Sequence, residues 1–259
     1  MIWNFHKYHG AGNDFIIIDN RKLLFTASEE IISKLCHRRF GIGADGLLLL
    51  EKSDDHDFSM RYFNSDGREG SMCGNGGRCI AAFAYQHLKL NEKITFLAVD
   101  GIHQAEILKS ENGITQVRLK MADVSQVQHG EGYYVLDTGS PHYVKFVENA
   151  DETDVVAEGK SVRYSPLFPH GTNVDFVEIK NGKLYVRTYE RGVEDETLSC
   201  GTGVTASAIA ASFVSPANEY EITTRGGNLK VSFTREKEFF SDVWLEGPAA
   251  FVYMGEIEI

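Results

Sequence analysis

Two cysteines in this chain stand in the same short pattern, and their chemistry is that of acids and bases. Cys73 begins the sequence C-G-N-G and Cys200 begins C-G-T-G about half the chain later, and each leads into an alanine-rich helical stretch. A helix start has unpaired N–H groups and a partial positive charge, which favour a thiolate over a thiol. We expect two opposed cysteines with pKa values at or below neutral. Such a pair can remove a proton from one face of a carbon and return one to the other.

Polar residues near the cysteines suit an amino-acid substrate. The α-hydrogen of an amino acid is a very weak acid, so pre-aligned donors must hold the negative charge that develops, and glycine-rich helix starts supply backbone N–H groups. Glu190 and Arg191 offer one charge of each sign on the strand before Cys200. His142 is a candidate base for a nearby thiol. Taken singly, an Asn-Gly pair usually forms a turn, and a Glu-Arg pair is usually a solvated ion pair.

Length and charge exclude several classes of protein. The 259 residues are enough for two compact lobes. A net charge of −11 with scattered Lys and Arg argues against a nucleic-acid surface. Apolar runs are far shorter than the ~20 residues of a membrane-spanning helix. The first residues do not resemble a signal peptide, so we expect a cytoplasmic protein without nucleic-acid or membrane partners.

The other two cysteines do not indicate a disulfide framework or a metal site. Cys36 follows an apolar helical pattern and Cys79 falls among small residues, so each is interpreted as a buried, inert thiol. The chain has no C-x-x-C pair, and support for a structural zinc site is weak.

Strand-like segments outnumber helices along the chain. The Asn-Gly at residues 181–182 separates two such segments and predicts a hairpin. The predicted helices are Ser28–Arg39, Arg78–Leu88, Asp151–Gly159 and Thr205–Phe213.

The two halves of the chain share an order of elements that indicates an internal duplication. Met60–Asn64 precedes the first cysteine as Val186–Glu190 precedes the second, and Asn13–Phe15 is similar to Asn173–Phe176. A glycine between two strands follows each cysteine helix. We expect two pseudo-symmetric lobes. The N-terminal lobe is residues 1–118 with 248–259 returning to it, and the C-terminal lobe is residues 119–247.

Several segments together resemble the diaminopimelate epimerase family over nearly the whole chain. The most specific is the block from N-S-D-G at residue 64 to M-C-G-N-G-G-R at residue 72. The others are H-G-A-G-N-D-F from residue 9, R-F-G-I-G-A-D-G from residue 39, E-R-G from residue 190 and C-G-T-G from residue 200.

The resemblance implies a cofactor-independent isomerase that converts LL-2,6-diaminopimelate to the meso form, in lysine and peptidoglycan precursor biosynthesis. It implies an α/β (α+β) fold of two lobes, each a curved, mostly antiparallel sheet around a central helix, and a homodimer without metal or pyridoxal cofactor. Cys73 and Cys200 would be the two acid/base residues, one thiolate and one thiol at rest, tuned by His142 and Glu190. The implied substrate contacts are Asn13, Asn64, Gly74, Asn75, Asn173, Glu190, Arg191, Gly201 and Thr202.

Three positions depart from the family pattern. Ser140 stands where many members have Asn, and Gly46 where some have Gln. The acidic segment Glu194–Thr197 makes the approach to Cys200 one residue longer than usual.

Three other kinds of protein share part of this pattern. Proline racemases and hydroxyproline epimerases resemble M-C-G-H-G at the first cysteine, where this chain has Asn75. Phenazine-type isomerases lack the cysteine pair. A thiol redox sensor would use the same two cysteines without exchanging substrate protons.

Overall fold

A computed structural model describes residues 2–26 and 28–258 of the chain. The strands are β1 (Ile2–Gly10), β2 (Asn13–Asp19), β3 (Gly46–Glu51), β4 (Phe58–Asn64), β5 (Lys93–Ala98), β6 (Gly101–Glu111), β7 (Ile114–Lys120), β8 (Val127–His129), β9 (Tyr133–Asp137), β10 (Pro141–Phe146), β11 (Asn173–Lys180), β12 (Lys183–Glu190), β13 (Asp195–Thr197), β14 (Glu219–Thr224), β15 (Gly227–Glu236) and β16 (Phe239–Glu258). The helices are α1 (Glu29–Cys36), α2 (Gly74–Leu88), α3 (Val155–Arg163) and α4 (Gly201–Val214). Contacts divide the chain into two compact units, Met1–Leu119 with Gly247–Ile259, and Lys120–Glu246.

The first unit is a mixed sheet that closes on itself. Strands β1 to β7 pair in chain order, with parallel pairs at β2–β3 and β4–β5 and antiparallel pairs elsewhere. The last part of β16 pairs with β7 at one end of this order and with β1 at the other. Helix α2 packs against β1, β2, β3 and β6, and its residues from Gly74 to Ala84 are buried.

Buried strands explain the apolar runs in this unit. In β2 and β3 almost every side chain is buried on one face or the other, as in parallel strands covered on both sides. Ile16, Ile18, Leu47 and Leu49 belong to one core cluster, which also includes residues of α1. The sequence did not predict β1, because the charged Lys7 occupies a buried position in it.

The second unit repeats the same order of pairing. Its β10–β11 and β12–β14 pairs are parallel, and β8–β9, β9–β10, β11–β12, β14–β15 and β15–β16 are antiparallel, with β13 added beside β12. Helix α4 packs against strands β9 to β12, β14 and β15 and is buried over most of its length. Lys180 pairs with Lys183 around the predicted hairpin, and the two loop residues have the positive φ values of a type I′ turn.

The predicted fold class is therefore confirmed: two pseudo-symmetric units of mixed α/β structure, each with a mostly antiparallel sheet and one buried helix. Register shows which positions correspond. Gly46 lies opposite Asn64 on β3 and β4, and the matching positions on β11 and β12 are Asn173 and Glu190. The turn glycines Gly101 and Gly227 have φ values of 128° and 139°, which only glycine adopts easily.

One equivalence inferred from the sequence is wrong. Asn13–Phe15 and Asn173–Phe176 look alike, but the first begins β2 and the second begins β11, whose counterpart is β3. Phe15 lies opposite Gly46, and His142 lies opposite Asn173. Phe15 and His142 therefore occupy equivalent positions. Asn13 and Ser140 each lie two residues before them, so the counterpart of Asn13 is Ser140.

Helix boundaries also differ from the predicted ones. α2 and α4 begin at Gly74 and Gly201, directly after the cysteines, so the glycine-rich segments are the first helical turns rather than separate turns. α3 begins at Val155 because Asp154 caps it, accepting a hydrogen bond from Ala157 N–H. Ser28 caps α1 in the same way, as its sequence predicted.

Candidate active site

Cys73 lies at the N-cap of α2, beside a group of amide side chains. Its thiol donates to Asn13 Oδ1 at 3.6 Å, and Asn75 Nδ2 donates to the same oxygen at 3.3 Å. Asn13 Nδ2 donates to Asp45 Oδ2 at 2.8 Å. The Asn13 amide is thereby held with its oxygen toward the cysteine.

Ion pairs hold the strand that carries Asn13. Asp14 pairs with Lys7 at 2.6 Å and with Arg38 at 2.8 Å, and Arg38 also pairs with Asp45 at 2.6 Å. Burial alone would raise the pKa of Asp14, but hydrogen bonds from Arg38 and Lys7 outweigh it and keep that pKa well below its usual range. Asp14 thus remains charged, and the hydrogen bond to Asp45 keeps Asn13 in place.

A fully buried arginine lies at the first turn of α2. Arg78 donates to Gly74 O at 3.2 Å and to Asn75 Oδ1 at 2.8 Å. Burial lowers the pKa of its guanidinium. Among the described residues no carboxylate forms a salt bridge with it. A positive charge and a helix N-terminus therefore act together near Cys73.

Cys200 lies at the N-cap of α4, beside the hydroxyl side chain of Thr202 rather than an amide side chain. Its sulfur is 3.3 Å from Thr202 Oγ1, which is 2.9 Å from His142 Nε2. Ser140 Oγ lies 3.1 Å from Thr202 Oγ1 and 3.0 Å from His142 Nε2. The pair Ser140 and Thr202 therefore takes the place that Asn13 and Asn75 have in the first unit.

A buried carboxylate that the sequence interpretation missed lies behind His142. His142 Nδ1 is 2.7 Å from Asp175 Oδ2, and Thr188 donates to Asp175 Oδ1 at 2.6 Å. The His142 and Asp175 side chains have no exposed surface. The available signal was an aspartate within the apolar run N-V-D-F-V, where a charge is buried only when it is paired.

The loop after β12 holds the remaining polar residues of the second unit. Asn173 Oδ1 accepts from Arg191 N–H at 2.8 Å, and Asn173 Nδ2 donates to Ser140 Oγ at 3.1 Å. Glu190 accepts a hydrogen bond from Thr197, and the Arg191 guanidinium donates to a backbone carbonyl. These contacts bring Asn173, Arg191 and His142 into one network.

Glu194 explains how the longer acidic loop keeps its shape. Its carboxylate accepts from Arg163 at 3.1 Å, Tyr164 at 3.0 Å, Tyr189 at 3.2 Å and Gly192 N–H at 3.1 Å. Its φ of 61° closes the turn. The additional residue therefore anchors the loop to α3.

Asn64 forms a side-chain hydrogen bond within its own strand. It ends β4 with an exposed side chain that accepts from Tyr62 OH at 2.8 Å. A Cβ added at Gly46 would lie 2.5 Å from the Tyr62 ring. The space that a longer side chain at position 46 would need is therefore filled by Tyr62.

The prediction of a low pKa is wrong for Cys200 in this structure. Burial raises the pKa of its thiol well above the usual value, and the charges of Glu190 and Asp175 raise it further. Hydrogen bonds from Thr202 and from Gly203 N–H act in the opposite direction but do not prevail. Desolvation of the charged form outweighs the helix N-terminus here. The other cysteines, Cys36 and Cys79, are buried as predicted.

No described helix is both long enough and apolar enough to cross a membrane. Where the structure describes side chains, no group of three or more His, Cys, Asp and Glu is arranged to hold a metal ion.

Solved structures share this fold. A PhzF-family phenazine biosynthesis protein from Bacillus anthracis matches with a TM-score of 0.80 at 17% identity, covering 100% of both chains. A probable proline racemase from Agrobacterium radiobacter matches with a TM-score of 0.75 at 14% identity, covering 99% of this chain and 93% of that one. At these identities the likeness defines the class of fold.

Sequence comparison defines the family. The family described as "Diaminopimelate epimerase" matches residues 5–127 and 134–252. A diaminopimelate epimerase of Flavobacterium psychrophilum is 50% identical, over 96% of this chain and 97% of that protein. One of Chlorobaculum tepidum is 44% identical, over 96% and 99%. The chain belongs to the diaminopimelate epimerase family, and it is an isomerase of the epimerase type.

Proposed function

We propose that this protein interconverts LL-2,6-diaminopimelate and meso-diaminopimelate without a cofactor, using Cys73 and Cys200 as two bases. The observation that carries the proposal is a pair of helix-start cysteines at equivalent positions of a duplicated chain that belongs to this family. One cysteine removes the α-proton, and the other delivers a proton to the opposite face of the same carbon. The product then serves lysine and peptidoglycan precursor synthesis.

The environments of the two thiols support unequal starting states. The raised pKa of Cys200 favours its thiol form at neutral pH. The helix start and buried guanidinium near Cys73 favour negative charge there. We therefore propose that Cys73 first loses the thiol proton that it donates to Asn13 Oδ1 in this structure, and then acts as the base with Cys200 as the acid, the roles being reversed after each turnover.

Backbone donors supply the stabilisation that a weak carbon acid needs. The N–H groups at Gly74 and Asn75 and those at Gly201 and Thr202 lie in first helical turns, where no intrahelical acceptor exists for them. We propose that they bind the substrate carboxylate as charge develops on it. Removal of one such donor costs about 3 kcal/mol, or about a hundredfold in rate.

Charged and amide side chains would bind the rest of the substrate. Diaminopimelate has an ammonium and a carboxylate at each end, which Glu190 and Arg191 complement by sign. We propose further contacts from Asn13, Asn64 and Asn173. Ser140 offers a hydroxyl where an amide is usual, and its bond to Asn173 keeps it in the same network. We also propose a cytoplasmic homodimer.

Exchange of α-hydrogen in deuterated water tests the function. LL- and meso-diaminopimelate, proline and hydroxyproline are incubated with enzyme, and deuterium incorporation is followed by mass spectrometry. We expect incorporation only into diaminopimelate. Exchange confined to proline or hydroxyproline would contradict the substrate assignment, and exchange with none would favour a thiol sensor.

Serine variants test the two-base chemistry. Cys73→Ser and Cys200→Ser should each abolish epimerisation, because a serine hydroxyl is too weak an acid to exchange roles with a thiolate. Cys36→Ser is the matched control, a buried cysteine away from both helix starts. Epimerisation by either single variant at the wild-type rate would contradict the mechanism.

A further inference from the structure

The hydrogen bonds around His142 determine which of its ring nitrogens carries the proton. Asn173 Oδ1 accepts from Arg191 N–H, so its Nδ2 is the end that faces Ser140 and His142. Nδ2 lies 3.3 Å from His142 Nε2 and can only donate. Nε2 is therefore an acceptor. The ring proton is on Nδ1, where it is donated to Asp175.

A continuous path of exchangeable protons connects this acceptor to Cys200. Thr202 Oγ1 is 2.9 Å from the unprotonated Nε2 and 3.3 Å from the Cys200 sulfur. A hydroxyl can donate one proton and accept another at the same time. Ser140 also contacts Nε2, whereas Thr202 Oγ1 contacts both Nε2 and the Cys200 sulfur.

We propose that Thr202 relays a proton between Cys200 and His142, and that Asp175 is a positioning residue which holds His142 ready to accept it. The proposal rests on the proposed function in one respect, that Cys200 is an acid/base residue. It gives Thr202 a role in proton transfer in addition to substrate binding.

The step conserves atoms and charge. The S–H bond of Cys200 breaks and its proton forms an O–H bond on Thr202, while the original Thr202 proton forms an N–H bond at His142 Nε2. The products are a Cys200 thiolate and a His142 imidazolium. Reversal of the step returns the thiol, which then protonates the substrate carbon.

The buried charges around the path favour this ion pair. Glu190 and Asp175 are the carboxylates that act on Cys200, and both oppose a thiolate formed alone. A buried imidazolium beside Asp175 has a paired charge, whereas an unpaired one would carry a large desolvation penalty. Asp175 therefore opposes ionisation of Cys200 by simple proton loss and promotes ionisation by transfer to His142.

The two effects of Asp175 on Cys200 ionisation are opposite, so the direction of change on removing its charge distinguishes them. The rate of Cys200 alkylation by iodoacetamide is measured against pH by peptide mass spectrometry, with Cys73 in the same sample as an internal reference. If the relay operates, Asp175→Asn lowers the rate of Cys200 alkylation near neutral pH about tenfold, because less Cys200 is ionised by transfer to His142, a step that releases no proton and so does not depend on pH. If Asp175 acts only as a nearby negative charge, the rate near neutral pH rises, which overturns the proposal.

Further variants keep the test interpretable. Thr202→Val should also lower the rate of Cys200 alkylation near neutral pH, and Thr202→Ser, which keeps the hydroxyl, should restore it toward wild type. In the Thr202→Val background the decrease caused by Asp175→Asn should disappear. Glu196→Gln is the control, an acid-to-amide change in the same unit whose carboxylate pairs with Arg187, and it should leave the rate unchanged.

A spectroscopic measurement on the unaltered protein completes the experiment. When His142 carries one ring proton, its nitrogen-15 shifts should place that proton on Nδ1 and none on Nε2. A single ring proton on Nε2, or a decrease caused by Asp175→Asn that persists in the Thr202→Val background, would overturn the relay. Neither measurement uses substrate, so this result is separate from the outcome of the deuterium-exchange assay.

Discussion

Equivalent glycines in the two cysteine motifs should respond very differently to the same substitution. Gly76 and Gly203 are each three residues after their cysteine. A Cβ added at Gly76 would meet Leu48, Phe15 and Met60 carbons at 3.4 to 3.6 Å, which is ordinary packing. A Cβ added at Gly203 would lie 2.4 Å from Asp175 Oδ1 and 3.2 Å from Thr188 Oγ1.

The structure sets the size of the difference. To restore a carbon–oxygen contact of about 3.3 Å, the Asp175 carboxylate must retreat by about 1 Å in Gly203→Ala. That movement breaks hydrogen bonds of 2.7 Å to His142 and 2.6 Å to Thr188. Each bond to a charged group is worth about 1.5–3 kcal/mol, against a gain of about 1 kcal/mol in helix propensity. We expect Gly203→Ala to lower the free energy of unfolding by about 2–5 kcal/mol, and Gly76→Ala to change it by about 1 kcal/mol or less.

The two tryptophans of the chain allow each unit to be followed separately. Trp3 belongs to the first unit and Trp244 to the second. Gly76→Ala is made with Trp244→Phe, and Gly203→Ala with Trp3→Phe, so that the fluorescence change in urea reports the altered unit. Equal unfolding free energies for the two alanine variants, each against its own background, would refute the steric argument.

Three further predictions concern pH and the long loop. Burial, followed by the charge of His87, lowers the pKa of His6 to about 4, so its neutral form stabilises the fold above pH ~6.5 and this contribution is lost as pH falls toward 4. Half exposure reduces the expected loss to about 1–2 kcal/mol, and an unchanged acid slope of unfolding in His6→Asn would contradict it. Burial raises the pKa of the Cys79 thiol far above its usual range, so stability should decline as pH rises above ~8.5, and Cys79→Ala should decline less by urea titration. Glu194→Ala removes the acceptor shared by Arg163, Tyr164 and Tyr189, and should raise KM for diaminopimelate about tenfold with a smaller change in kcat; the reverse ratio would show that the loop affects chemistry rather than binding.

The sequence predicted those features that depend on local pattern. Hydrophobic runs, the Ser28 cap and the Asn-Gly hairpin each act within a few residues, and the order of elements revealed the duplication. The predicted helices begin at Arg78 and Thr205, four residues too late, because glycine is a poor helix former; burial of α2 and α4 within each unit outweighs that intrinsic preference.

Long-range partners account for what the sequence did not predict. Strand β1 was not predicted because it contains Lys7, whose burial depends on partners outside that strand, Asp14 and the backbone of Gly43. Asp175 was not recognised because its partner His142 lies on the neighbouring strand β10. The direction of the Cys200 pKa shift likewise depends on burial by the surrounding fold, which cannot be predicted from the helix-start sequence alone.

The long last strand has a consequence for the order in which this protein matures. The second unit is a continuous piece of chain, but both open edges of the first unit's sheet, β1 and β7, are covered only by residues after Glu246. During synthesis the first residues made must therefore wait for nearly the last before their unit can close. Until then they present unpaired strand edges, which are templates for association. A chain that stops a dozen residues early would release a finished second half joined to an unsealed first half.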